Sequence, residues 1–205
     1  DVETQFDPHY DPWDQRLCLA PDGDLFEALR AGRASLVTDR IATFTEEGIR
    51  LESGRELTAD LVVTATGLRV RFLGGIELAV DGERVEPSQT TSYQAAMLSD
   101  VPNLALAFGY TNASWTLKAD LTAAWVCRLL NHMERRGYRR CTPRRSDPEL
   151  GDEPFVGLTS GYIQRALPYL PKQGSKTPWR VRQNYLLDRL ELGLRPVEDG
   201  VLELR

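Results

Sequence analysis

The sequence predicts an α/β fold: a small β-meander, strands of an open sheet covered on both faces, one long helix and a helical tail. Three observations predict it. Short runs from about Ser35 to Leu57 switch between apolar and polar residues with turn signals between them. The run Asp60-Leu61-Val62-Val63-Thr64-Ala65 is apolar and β-branched without alternation, the pattern of a parallel strand buried on both faces. From Leu117 to Met133 apolar residues recur at helical spacing.

The elements follow in order. Asp1 to about Gly32 is rich in Pro, Asp and aromatics, which reads as an irregular connector followed by a short helix near Asp22–Arg30, with Gly32 as its stop. Leu36-Val37 starts one strand, Ile41 to Phe44 a second and Ile49-Arg50-Leu51 a third; Glu46-Glu47-Gly48 and Ser53-Gly54 are the turns, and Leu57 leads into the buried strand. Ile76 to Val80 with Val85 forms a hairpin around Asp81-Gly82. Leu104 to Phe108 is another short strand, ending at Gly109. Asn112 or Ser114 then caps a long helix in which Leu117, Leu121, Ala124, Trp125, Leu129 and Met133 face inward. His132, Arg135 and Arg136 complement its last turn and Gly137 ends it. Few charges lie between Trp115 and Leu130, so most of this helix is expected to be buried. Beyond Cys141 a polar, Pro-rich surface linker runs to Pro154. Thr159 caps a short helix that Pro168 ends, and Val181 to Leu192 is a final amphipathic helix.

Composition narrows the function. A length of 205 residues is about one domain or slightly more on a prior of roughly 100–200 residues per domain. An apolar fraction of 41% permits a real core, and a net charge of -5 does not point to nucleic acid. No apolar run approaches the roughly 18 residues that span a bilayer, and no signal-peptide pattern opens the chain, so membrane association is not indicated. Cys18, Cys127 and Cys141 are odd in number and form no C-x-x-C, which fits thiols in a reducing cytoplasm better than disulfides or zinc. The first residue, Asp1, is not Met, so a fragment or processed form is expected.

Two features can carry chemistry. Ala65-Thr66-Gly67 ends a strand, where ligands of open α/β sheets collect and where a glycine admits close backbone approach. On spacing alone an ordinary strand-ending turn is the simpler account. The second is the loop Gly109-Tyr110-Thr111-Asn112-Ala113-Ser114-Trp115 at a helix start, whose free N–H groups suit an anion or an electron-rich ring edge; plain capping accounts for it equally well. His132 reads as a helix-end residue, and Asp22 with Asp24 as a solvated turn rather than a metal site. The basic stretch Lys172, Lys176, Arg180 and Arg182 reads as a solvated or interdomain surface before it reads as a phosphate site.

Longer motifs go further. Pro12-Trp13-Asp14-Gln15-Arg16, Asp22-Gly23-Asp24-Leu25-Phe26, Gly54-Arg55-Glu56-Leu57 with Asp60 to Gly67, Asn112 to Lys118, and Pro178-Trp179-Arg180 with Gln183-Asn184-Tyr185 resemble one family nearly end to end. It is the class B flavoprotein monooxygenases (Baeyer–Villiger and flavin-containing monooxygenases), in the branch that contains the ethionamide-activating FAD monooxygenase. The resemblance implies the C-terminal part of a two-dinucleotide-binding-domain flavoprotein. Residues 1–142 would close the FAD/NAD(P)-binding region and residues 143–205 would be linker and helical tail. It implies FAD and NADPH as cofactors, O2 as co-substrate, and a ketone, sulfide or thioamide as small-molecule substrate. It also implies that an N-terminal half is missing. The family's Gly-rich motifs, its fingerprint and its active-site arginine lie upstream, and no G-x-G-x-x-G occurs in these 205 residues. No catalytic residue carries over. Thr66, Gly67, Gly109, Asn112, Ser114 and Trp115 carry over as cofactor-binding candidates. A sheet without its first strands should expose an edge and one apolar face. The rival readings are an inactive remnant or partner-binding half, and a flavoprotein of the disulfide-reductase type.

Overall fold

The computed structural model describes residues 2–12 and 14–205, so Trp13 of the first motif lies outside the described residues. The chain divides into two units, Asp1–Leu68 and Arg69–Arg205.

The first unit holds helices α1 (Val2–Phe6) and α2 (Asp24–Arg30) and an antiparallel meander of β1 (Ile41–Thr45), β2 (Gly48–Leu51) and β3 (Glu56–Thr58) in sequential order. The turn at Glu46-Glu47 lies where the sequence places it. Gly48 is required there, because a Cβ on it would sit 2.1 Å from the Leu57 carbonyl oxygen of the neighbouring strand. Leu51 is the one large apolar side chain that is buried among the described residues of this unit.

Two expectations fail in this unit. Leu36-Val37 forms no strand. Asp60 to Ala65 forms no strand, with Leu61 and Val63 79% and 77% exposed. A parallel strand needs neighbours for its backbone groups and helices over both faces. The described residues supply neither.

The second unit opens with the hairpin β4 (Leu78–Val80) and β5 (Glu83–Val85) around Asp81-Gly82, both at positive φ. A tight pair follows, β6 (Ser92–Tyr93) with β7 (Met97–Leu98), and then the long helix α3 (Trp115–Arg136). After it come β8 (Cys141–Pro143), β9 (Asp152–Pro154), α4 (Gly161–Ala166), β10 (Lys172–Gly174), α5 (Tyr185–Leu194) and β11 (Leu202–Leu204). Strand β8 pairs with β11, and β9 with β10, both antiparallel. An isolated bridge between Thr91 and Lys172 is the one parallel contact among the described residues, so the expected open parallel sheet gives way to small antiparallel sheets. Leu104 to Phe108 forms no strand, although the Leu106 N–H donates to the Ala96 carbonyl at 2.7 Å.

The core joins Tyr93, Met97, Trp125, Leu129, Met133, Trp179, Leu192 and Leu202. The Tyr93 ring lies 6.0 Å from that of Trp125 and 5.7 Å from that of Trp179. Helix α3 buries Lys118, Thr122, Trp125, Leu129 and Met133. Leu117 and Ala124, expected inside, are exposed, as are Cys127 and Leu130. One face of α3 packs on α5 and the core, and the opposite face has no element over it among the described residues.

The supposed linker is structured. Arg145 donates to Thr91 Oγ1 at 2.8 Å, Asp152 Oδ1 at 2.6 Å and the Leu150 carbonyl at 2.7 Å, and Leu150 is buried. The 142/143 boundary therefore falls inside β8, within the second unit. Helix α4 starts after Ser160 rather than Thr159. Helix α5 starts at Tyr185 rather than Val181, because the Asn184 side chain accepts from the Leu187 N–H at 3.1 Å and sets the start.

Candidate functional site

The loop from Gly109 to Trp115 turns the segment 104–108 into α3. Its glycine is used for ring packing: a Cβ on Gly109 would meet the Trp115 indole at 2.1 Å, so that ring lies against the Gly109 backbone. The Trp115 side chain is nonetheless 56% exposed, presenting its other surface outward.

Segment 183–184 and helix α5 hold the loop from behind. Gln183 Oε1 accepts from the Thr111 N–H at 2.9 Å and from its hydroxyl at 3.2 Å. Asn112 Nδ2 donates to the Gln183 carbonyl at 3.1 Å. Ser114 stands at the N-cap of α3 but makes no capping bond; its hydroxyl meets that of Thr116 at 2.8 Å. The expectation that Asn112 or Ser114 caps the helix is thus corrected, since one side chain is spent on Gln183 and the other on Thr116. The first turn of α3 has no side-chain cap and no acidic residue, so its N–H groups and its positive dipole end are uncompensated.

Under the loop lies a group that the sequence reading passed over. Lys118 Nζ sits 2.9 Å from Asp188 Oδ2, both side chains being 4% exposed, and the Tyr110 hydroxyl donates to the same oxygen at 2.6 Å. The Lys118 ammonium also stands 5.9 Å from the Tyr110 ring centroid. Burial lowers the Lys118 pKa, with the Asp188 charge opposing. Burial first, then the bond to Asp188, pushes the Tyr110 phenol well above its usual range, so Tyr110 stays protonated with its proton committed to Asp188. A signal for this trio was in the sequence: Lys118 is the one charge on the stripe 118, 122, 125, 129, 133, and a lysine there requires a buried counter-ion.

Thr66 and Gly67 belong to the first unit, and Gly109, Asn112, Ser114 and Trp115 to the second. Both Thr66 and Gly67 are exposed; Gly67 has φ 109 and nothing within 4 Å of where a Cβ would lie. The backbone there is open to a close-lying ligand, whereas at Gly109 the equivalent space is taken by Trp115. In the second unit, an uncapped helix start thus lies beside an exposed indole.

No protein-family model matches the chain. Curated relatives do. The FAD-containing monooxygenase EthA of Mycobacterium tuberculosis is 54% identical over 188 residues, 92% of this chain and 38% of the relative. The EthA of Mycolicibacterium smegmatis is 53% identical over the same shares. The "Probable FAD-binding monooxygenase AlmA" of Acinetobacter baylyi is 53% identical over 198 residues, 96% of this chain and 40% of the relative.

Over most of its length the chain is similar to FAD-containing monooxygenases.

It spans about two fifths of the length of these relatives. These relatives are named monooxygenases, which speaks against the disulfide-reductase alternative. The motif Asn112 to Lys118 that suggested this monooxygenase family ends on the buried lysine, and the motif Gln183-Asn184-Tyr185 supplies the loop's anchor and the N-cap of α5. The basic stretch is largely internally paired: Lys172 with Asp152 at 2.8 Å, Lys176 with Asp147 at 2.6 Å and Arg182 with Glu191 at 3.0 Å. His132 meets Glu198 at 2.8 Å at the helix end. No helix among the described residues is long and apolar enough to cross a membrane.

Proposed function

We propose that this chain is the C-terminal part of an FAD- and NADPH-dependent monooxygenase of two-dinucleotide-binding-domain architecture. It acts on ketones by Baeyer–Villiger insertion, or on sulfides or thioamides by oxygenation. NADPH supplies two electrons; of the two atoms of O2, one enters the substrate and the other leaves as water. Bound FAD supplies the redox and oxygen chemistry. The observation that carries the reading is the loop Gly109–Trp115, which presents an uncapped helix start and an exposed indole and is held rigid from behind by Gln183 and the Lys118–Asp188–Tyr110 trio. Its support from relatives is the 50–54% identity to FAD-containing monooxygenases.

In this reading each residue has a defined task. The first-turn N–H groups of α3 donate to the electron-rich edge of the ring system. Trp115 shields it from water. Thr66 and Gly67 let backbone lie close to the cofactor. Tyr110 moves no proton, because its own is held on Asp188. An N-terminal half would supply the Gly-rich phosphate-binding turns, so the 205 residues alone should retain no FAD. Leu61, Val63 and the exposed face of α3 would be covered by that half. The reading places the enzyme in the cytoplasm, in keeping with three cysteines none of which is disulfide-bonded.

The test is made on the complete protein. Ser114→Asp keeps a partner for Thr116 and adds a negative charge at the helix start. The flavin reduction potential should fall and hydrogen peroxide release should rise, by an interaction of about 0.3–2 kcal/mol, with thermal stability nearly unchanged. Asn112→Asp is the contrast, since it also loses the donation to Gln183 and should loosen the loop. An unchanged potential and coupling in Ser114→Asp would remove this loop from the flavin site. Absence of substrate-dependent NADPH oxidation by the complete protein would instead favour the inactive-remnant reading.

A further inference from the structure

Far along α3 from that loop, its last turns and the segment after α5 border an open cleft of about 630 Å3 lined by Arg128, Asn131, His132, Arg135, Arg136 and Arg195, with Pro196, Val197 and Glu198. Four arginines face one carboxylate, in a chain whose net charge is -5. Several cations elsewhere in this unit have carboxylate partners: Arg144 has Asp100 and Glu203, Arg145 and Lys172 share Asp152, Lys176 has Asp147 and Arg182 has Glu191. In the cleft the one carboxylate, Glu198, is taken by His132. Arg135, Arg136 and Arg195 have no carboxylate partner among the described residues.

Arg128 builds the wall rather than the binding surface. Its guanidinium donates to the Gly193 carbonyl and, at 2.9 Å, to the Arg195 carbonyl, which pins the segment after α5 across α3. Its Nε is buried without a partner. Helix-dipole complementation explains an arginine or two in the last turn of α3. It does not explain Arg195, which comes from another segment and adds its charge to the same cleft. Repulsion among three unpaired guanidiniums is a cost that an anion would relieve.

We propose that this cleft binds a phosphate monoester. Planar guanidiniums bind phosphate oxygens in bidentate fashion, and three of them suit a dianion better than a carboxylate. Pro196 and Val197 give an apolar wall for the organic part. The site is independent of the flavin reading.

Calorimetric titration of the full chain with phenyl phosphate, inorganic phosphate and benzoate tests it. Phenyl phosphate should bind most tightly, inorganic phosphate more weakly because it leaves the apolar wall unused, and benzoate weakest. Arg135→Gln with Arg136→Gln should weaken phenyl phosphate binding about tenfold or more, since each charge-assisted bond contributes on that scale. Both residues are exposed, so the protein should stay folded and lose no more than the small helix-dipole complementation these two charges supply. Arg84→Gln, exposed and remote in sequence, should bind like the parent. Equal binding by the double variant, or equal affinity for benzoate and phenyl phosphate, would overturn the proposal. So would binding to phosphatidylglycerol vesicles with no binding of phenyl phosphate, which would make the patch a membrane-facing surface.

Discussion

The two units spend their apolar residues differently. In Arg69–Arg205, Trp125, Trp179, Tyr93, Met97 and Leu192 close on one another in a continuous core. Among the described residues of Asp1–Leu68, only Leu51 of the large apolar side chains is buried, while Phe6, Leu19, Phe44, Leu61 and Val63 face outward. Both units have runs apolar enough to fold inward. For the run Asp60 to Ala65 the difference is hydrogen-bond supply. Each short strand of the second unit finds a partner within the unit, even across 60 residues, as β8 does with β11. The run Asp60 to Ala65 finds none. An apolar strand without neighbours cannot be buried, because its peptide groups would be buried unsatisfied.

The largest effect should come from the buried ion pair of the second unit. Asp188→Ala leaves the Lys118 ammonium and the Tyr110 hydroxyl buried without their partner, and should cost about 3–5 kcal/mol in denaturant unfolding. Adding Lys118→Met should restore most of that loss; no restoration would mean that Asp188 acts through packing alone. The first unit should be most sensitive at its one crowded glycine. Gly48→Ala pushes a methyl into the Leu57 carbonyl and should cost about 1–3 kcal/mol, with faster amide exchange confined to β1–β3. Loss of protection that spreads into the second unit would show that the two fold together.

Acid should separate the units more gently. In the second unit, hydrogen bonds from Lys176, Lys172 and Arg144 hold Asp147, Asp152 and Glu203 below the usual carboxylate range. In the first, Asp39 is lowered by a bond from the Ser53 side chain. Depressed folded values stabilise above the unfolded value near pH 4 and lose that stabilisation as pH falls through the folded value. The second unit should therefore lose more stability below about pH 4, and 1 M salt should shrink the loss because these pairs are exposed. A thermal midpoint flat across that window would mean that the pairs contribute nothing. The smallest effect should be at Leu61. In this chain Leu61→Ala should change stability by no more than about 0.5 kcal/mol. In the complete protein the same substitution should cost about 2–5 kcal/mol if the missing half covers it. Equal small effects in both would sink the idea that this run is a strand waiting for its sheet.

Local chemistry made much of this chain legible in advance. The turns at Glu46-Glu47, Ser53-Gly54 and Asp81-Gly82, the hairpin they imply, the length of α3 and its end at Gly137 are set by residues within a few positions of each other. The likeness to monooxygenases was likewise readable from its motifs. What the sequence alone left undecided depends on distant groups. Asn112 and Ser114 have the chemistry of caps, yet Gln183, 71 residues from Asn112, takes one and Thr116 the other. Lys118 has the chemistry of a surface residue, yet Asp188 and Tyr110 make it a buried one. Leu117 and Ala124 have helical spacing for a core, yet Trp125, Leu129 and α5 draw the buried stripe through Lys118 and Thr122 instead. Asp60 to Ala65 has the composition of a buried strand, and only a neighbouring strand can make it one. Turn and helix signals act over a few residues of backbone; burial and strand pairing depend on what else is within reach in space.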